Sequence, residues 1–250
     1  MSPRALLRVP FVALATLFAH TTILASVLLR PIAPRLQLRI RNAAFRRWGR
    51  QLCRLMGARI EVQGRPPTGE FVLVSNHLSY VDIIVLASQI EAAFVAKASL
   101  RRWPLLGWAF QTADTIFIDR ARKKDLLRVL QAVHRQLDRG LGVLIFPEGT
   151  SSKGEEILRL KPSLLRLAAE RDYPVHYVTL SYRTPGGAPA HRTVCWWDDT
   201  PFLTHVLRLL GLPYFEVTLR FGAEPIRAGD RKLLADQLQS AMEQSFTPVT

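Results

Sequence analysis

A histidine and an aspartate five residues apart, His77 and Asp82 in Ser75-Asn-His-Leu-Ser-Tyr-Val-Asp82, are the residues of this chain best suited to proton transfer. An imidazole beside a carboxylate is held in one tautomer and can act as a general base. On one continuous helix the two would stand about 140° apart, so they can meet only if the chain bends between them. The flanking sequence supplies the bend. Phe71-Val-Leu-Val74 reads as a buried strand and Ile83-Ile-Val-Leu86 as the start of a buried helix, which puts His77 at a strand-to-helix turn. Ser79 and Asp82 have capping-box spacing, with the serine oxygen on a free helix amide and the carboxylate reaching back to the serine amide. The plainer reading of the same residues is a helix cap at Asp82 and an ordinary loop histidine at His77.

Two further turns hold residues able to grip an anion. Phe146-Pro-Glu-Gly-Thr-Ser-Ser152 follows the apolar run Gly142 to Phe146. Pro147 fixes one backbone angle, Gly149 permits a tight bend, and the hydroxyls of Thr150, Ser151 and Ser152 lie beside backbone amides. Phe117-Ile-Asp-Arg120 ends a strand in an acid and a guanidinium, suited either to a bidentate phosphate clamp or to an ion pair with Asp119. Other routes to catalysis have no motif: there is no Gly-x-Ser-x-Gly, no Walker-type loop, no Gly-x-Gly-x-x-Gly and no His-Glu-x-x-His. Cys53 and Cys195, far apart, make neither a disulfide framework nor a metal cluster, so neither metal nor cofactor is expected.

Apolar runs alternating with helical ones supply the elements that position these turns. Strands are expected at Glu61-Val62, Phe71 to Val74, Ala93 to Ala96, Thr115 to Ile118, Leu141 to Phe146, Val175 to Tyr182, Thr193 to Trp197 and Phe215 to Phe221. Helices are expected at Val81 to Ala87, at Lys123 to Leu137 with Leu126, Leu127, Leu130, Val133 and Leu137 at core spacing, at Pro162 to Ala169 and at Arg231 to Phe246. Such alternation predicts an α/β domain, residues 59–250, around a mostly parallel central sheet flanked by helices. Residues 1–58 read as an N-terminal membrane-associated segment. Val9 to Leu29 carries no charge and is just long enough to cross a bilayer core. From Leu36 to Met56 the helical period sets Leu38, Phe45, Trp48, Leu52 and Leu55 opposite Arg39, Arg46, Arg50 and Arg54, the pattern of a helix lying in a membrane interface. The arginines cluster after the apolar stretch, so the positive-inside rule puts the domain in the cytoplasm, at the inner membrane. A two-helix re-entrant hairpin that never crosses fits the same residues.

The formal charge of +14 and a pI near 10.8 call for an acidic partner. The arginines lie on an amphipathic helix and are not interleaved with exposed aromatics on a sheet, which favours an anionic membrane surface and argues against nucleic acid. A non-catalytic, membrane-anchored basic module binding anionic lipid or nucleic acid is the reading from another class.

Taken in order, Asn76-His77-x4-Asp82, Phe117-Ile-Asp-Arg120, Phe146-Pro-Glu-Gly-Thr150 and a Pro174-Val175 step into a strand resemble the glycerolipid acyltransferase family. The nearest type is the bacterial 1-acylglycerol-3-phosphate acyltransferase, with the lyso-ornithine lipid acyltransferases as a branch. The resemblance implies transfer of a fatty acyl group from acyl-CoA or acyl carrier protein to a lysolipid hydroxyl, with 1-acylglycerol-3-phosphate as first acceptor and lyso-ornithine lipid as alternative. It implies that His77 is the base, that Asp82 orients it and that Lys97 lies near the thioester. It also implies that Asn76, Arg120, Glu148, Gly149 and Thr150 bind substrate. The sequence departs from the commonest pattern at two places: Ser151 stands where an arginine often follows, and Lys161-Pro-Ser163 replaces a lysine-x-glycine. The missing cation at 151 weakens the case for 1-acylglycerol-3-phosphate as sole acceptor and makes lyso-ornithine lipid, which lacks phosphate, the alternative within the same reaction class.

Overall fold

The computed structural model describes residues 2–98, 101, 111, 114–119 and 123–250. Two helices lead the chain. Helix α1 (Pro3–Ser26) is capped by Ser2, whose hydroxyl accepts from the Ala5 amide at 3.1 Å. Helix α2 (Pro34–Met56) ends at Gly57, where φ is +80° and a left-handed turn closes the helix. Then follow β1 (Ala58–Gln63), β2 (Val72–Ser75), α3 (Val81–Gln89), β3 (Ala92–Lys97), β4 (Ile116–Ile118), α4 (Lys123–Leu137) and β5 (Gly142–Ile145). The chain is completed by α5 (Arg166–Glu170), β6 (Val175–Arg183), α6 (Ala190–Thr193), α7 (Phe202–Gly211), β7 (Phe215–Phe221) and α8 (Arg231–Ser245).

The seven strands form one sheet in the order β1-β7-β6-β2-β5-β3-β4. Every neighbouring pair is parallel except β6 and β7, so the expected mostly parallel α/β sheet is what forms. All four residues of β2 and of β5 are buried, as strands covered on both faces must be. Alternate residues serve opposite cores. Leu73 and Leu144 face one core with Leu52, Met56, Val85, Leu86 and Leu209, hence with α2, α3 and α7. Val74 and Val143 face the other with Val129, Val133, Leu167, Leu234 and Leu238, hence with α4, α5 and α8.

Two expectations are corrected. Thr193 to Trp197 is not a strand, because the Trp196 amide donates to the Leu78 carbonyl at 2.8 Å in the His77 turn instead of joining a ladder. In α4, Leu127 faces solvent and the core is met by Val129, Leu130, Val133 and Leu137.

The N-terminal helices fold back on each other as a hairpin against the α3 face of the sheet. Helix α1 is long and apolar enough to cross a membrane. Its first turns, however, are fastened to the globular body: Arg8 donates to the carbonyls of Leu212 at 2.6 Å, Leu210 at 3.1 Å, Met56 at 3.3 Å and Pro213 at 3.1 Å. These carbonyls lie at the C-terminal ends of α2 and α7, where a cation is favoured. The expected division of α2 is also revised. Phe45 stacks on Trp48 and meets Phe94 edge-on, and the Trp48 indole donates to Thr16 on α1 at 3.1 Å. The aromatic face of α2 is thus packed against protein. On α1 an apolar stripe is left open, where Leu7, Phe11, Leu14 and Phe18 are each more than half exposed.

Candidate active site

The C-terminal ends of β2 and β5 are neighbours in the sheet, and the chain leaves them toward opposite faces, through α3 and through α5. A crevice outside the carboxyl ends of such strands is where open α/β sheets bind ligands. The turn after β2 brings His77 and Asp82 together, with Nδ1 and Oδ2 2.8 Å apart. Asp82 is fully buried, whereas the His77 side chain keeps about a fifth of its surface open. The Oδ2 atom also accepts from the amides of Leu78 at 2.7 Å and Ser79 at 3.0 Å. Only the acidic half of the expected capping box therefore forms: the Ser79 hydroxyl has no partner among the described residues, and Asp82 is turned to the histidine.

With Nδ1 facing the carboxylate, Nε2 is the nitrogen free to accept a proton. The ring is fixed a second way, by stacking on Phe146 with centroids 4.2 Å apart and planes 26° from parallel. Phe146 is the last residue before Pro147-Glu148-Gly149-Thr150, so the two turns meet at this aromatic pair. A backbone bond from the Ser152 amide to the His77 carbonyl, 2.9 Å, joins them further. Gly149 holds a φ of +80°, which a side chain would strain, and Thr150 is exposed at the crevice.

Glu148 is 98 % buried, and neither carboxylate oxygen has a hydrogen-bond partner among the described residues. Burial pushes its pKa up to about 9. The backbone amides of His77 and Leu158 face it and offset part of the burial penalty without closing a hydrogen bond, and the nearby Asp82 charge adds to the rise. Glu148 is therefore neutral at pH 7 and puts no negative charge beside the site. The Asn76 side chain, expected at the substrate, is committed elsewhere. Its Nδ2 donates to the Leu180 carbonyl at 2.9 Å and its Oδ1 accepts the Leu180 amide at 2.8 Å, which locks the His77 turn onto β6. Lys97 closes β3, next to β5, and its side chain lies outside the described residues, as does Arg120.

Two partners from outside the three turns complete the site. Tyr182, 1 % exposed on β6, donates its hydroxyl to Asp82 Oδ1 at 2.7 Å. The Trp196 backbone bridges the turns, its amide on Leu78 and its carbonyl accepting the Ser151 hydroxyl at 2.6 Å. His205 takes no part in proton transfer to a substrate: Tyr80 lies 3.0 Å from its Nδ1, Nε2 is bonded to the Cys195 carbonyl, and the residue is 1 % exposed. Among the described residues no cluster of His, Cys, Asp and Glu could hold a metal.

Residues 59–181, the span that carries all of these turns except Trp196 and Tyr182, match the family model described as Acyltransferase. A lyso-ornithine lipid O-acyltransferase of Pseudomonas aeruginosa is 35 % identical over 205 residues, 81 % of this chain and 78 % of the relative. The chain belongs to the acyltransferase family. Another relative within it is the 1-acyl-sn-glycerol-3-phosphate acyltransferase of Neisseria meningitidis, 30 % identical over 208 residues, 81 % of this chain and 80 % of that one. The fold matches the crystal structure of the 1-acyl-sn-glycerophosphate acyltransferase of Thermotoga maritima with a TM-score of 0.65, over 95 % of this chain and 97 % of that one, at 20 % identity. In this acyltransferase the His77–Asp82 contact of 2.8 Å lies within the matched residues 59–181.

Proposed function

We propose that the protein transfers a fatty acyl group from a thioester to the free hydroxyl of a lysolipid, and that lyso-ornithine lipid is its preferred acceptor. The observation that carries the chemistry is the His77–Asp82 bond, with Nε2 left open on a histidine fixed from two sides. The acceptor hydroxyl gives its proton to Nε2, and buried Asp82 balances the charge that forms on the imidazole. The acceptor oxygen bonds to the thioester carbon, the carbon–sulfur bond breaks, and the sulfur leaves with its electron pair. A thiol of pKa about 8.5 leaves readily and takes up the proton from His77, so no acyl-enzyme is needed. Neutral Glu148 adds no repulsion to the negative charge that builds on the carbonyl oxygen. Lys97 is assigned to that oxygen, and Arg120 with the Gly149 and Thr150 turn to the acceptor headgroup, on the strength of the motif resemblance.

The preference for lyso-ornithine lipid rests on Ser151. Its hydroxyl is taken by the Trp196 carbonyl, so the position offers an acceptor neither a cation nor a free donor. Relatives named lyso-ornithine lipid O-acyltransferases, at 31–35 % identity in P. aeruginosa, Rhizobium meliloti and Brucella abortus, support the same reading. For membrane association we favour the hairpin lying on the cytoplasmic leaflet of the inner membrane without crossing it. The Arg8 anchor keeps the start of α1 at the globular body, and the Leu7-Phe11-Leu14-Phe18 stripe is free for lipid. Relative kcat/KM for lyso-ornithine lipid and 1-acylglycerol-3-phosphate, in wild type and Ser151→Arg, tests the acceptor. The expected result is a preference for the former that Ser151→Arg shifts toward the phosphate; equal or reversed preference in the wild type overturns it.

A further inference from the structure

The face of the sheet opposite the hairpin carries a feature that the reaction above does not use. Residues 159–163 and the first turn of α8 enclose an open groove of about 480 Å³, lined by Arg159, Leu160, Lys161, Ser163, Arg231 and Lys232. Its position is fixed by hydrogen bonds to the catalytic loop and to α8. The Lys161 amide donates to the Pro147 carbonyl at 2.9 Å, one residue beyond the ring on which His77 stacks. The Leu160 amide donates to Gln239 on α8 at 3.0 Å.

Four cations line the groove. Arg159 is paired with Asp236 at 2.5 Å, and Asp230 caps α8 by accepting from the amides of Lys232 and Leu233. Lys161, Arg231 and Lys232 are exposed and form no ion pair among the described residues. Leu233, beside them, is half exposed. Helix α8 belongs to the second core, across the sheet from the α1 stripe, so this charge does not sit on the lipid-facing side.

We propose that this groove docks the acyl donor in the form of an acidic carrier protein. This rests on the acyltransferase reading and names the donor that reading leaves open. A substrate loaded from the cytosol must approach from a side that the membrane does not cover, and this groove lies there, next to the loop beside His77. Its shape favours a protein over a nucleotide. A small-molecule site encloses most of its ligand and sets a few polar groups firmly inside it. Here the groove is open and its charged groups are exposed, long side chains at the rim, the arrangement that steers an oppositely charged protein. The exposed Leu233 amid cations suits an acidic helix with an apolar contact at its centre.

The test is kinetic, with one measurement that does not need turnover. Arg231→Glu/Lys232→Glu and Lys161→Glu are made in the full chain; acids in the first turn of α8 favour the helix, so folding is preserved. Acyl-carrier-protein and acyl-CoA are supplied as alternative donors to one lysolipid, and binding of holo carrier protein is titrated separately. The expected result is a rise of about tenfold or more in KM for the acyl-carrier-protein, with a flattened salt dependence and weakened carrier binding. The acyl-CoA kinetics stay at the wild-type value. Equal loss with both donors, or unchanged carrier binding in both variants, overturns the proposal. Should the wild type transfer acyl groups from neither donor, the acyltransferase reading fails, while the binding titration still decides the groove.

Discussion

Replacing Tyr182 with phenylalanine removes one hydroxyl and tests whether Asp82 is held as the structure describes. Asp82 accepts from His77, Leu78 and Ser79 on Oδ2 and from Tyr182 on Oδ1. Both partners of the last bond are at most 1 % exposed, so water cannot replace the lost donor without opening the core. Oδ1 would then lack a partner among the described residues. Leaving a buried acceptor unsatisfied costs about 1–3 kcal/mol, more when it is charged. Tyr182→Phe is therefore expected to lower the free energy of unfolding by about that amount, measured by chemical denaturation. Its effect on transfer should appear in kcat, at about tenfold, with the acceptor KM little changed, because Tyr182 acts on the pair and not on the substrate. Tyr182→Phe with wild-type unfolding midpoint and wild-type kcat would refute the reasoning. A rise in KM at constant kcat would refute the positioning role alone.

Two further outcomes follow from buried charge and exposed apolar surface. Glu148, moved from 4.5 to about 9, keeps its proton in the folded state where the unfolded chain has released it, so it makes stability fall as pH rises through that interval. Glu148→Gln should remove this component: the unfolding midpoint of the wild type drops more between pH 5 and pH 8.5 than that of the variant, and parallel profiles would contradict the raised pKa. Leu14→Gln/Phe18→Gln removes two exposed apolar side chains from α1, each contributing about 1.5–3 kcal/mol when buried in lipid. Co-sedimentation with vesicles of anionic lipid should weaken about 10²–10⁴-fold while the melting temperature is unchanged; unaltered binding would place the membrane contact elsewhere.

The parts of the site that the sequence displays are the local ones. A strand, a bend and a cap within a dozen residues force His77 and Asp82 into reach, and the structure brings them to 2.8 Å. Tyr182 and Trp196 lie 100 and more residues further on. Their contacts depend on β6 lying beside β2, a property of the strand order that hydrophobic periodicity does not encode. Asn76 illustrates the converse. Its place in the motif suggested substrate, but an amide beside a strand edge can bind the neighbouring backbone equally well, and here both of its polar atoms do. The apolar face of α2 has the sequence pattern of a lipid-facing one because an apolar stripe looks the same whether lipid or another helix covers it. Helix α1 covers it, and the open apolar stripe moves to α1. The run Thr193 to Trp197 has strand composition, yet the Trp196 backbone is used to tie two loops together.

The central claim is that the open Nε2 of His77 removes the acceptor's proton. Transfer of radiolabelled acyl groups to lyso-ornithine lipid by purified wild type, His77→Ala and Asp82→Asn, each checked for native melting behaviour, tests it most directly. The account predicts transfer by the wild type, a loss of about 10²–10⁴-fold in the histidine variant, and a double variant no worse than His77→Ala alone. A folded His77→Ala protein that transfers acyl groups at the wild-type rate would contradict it.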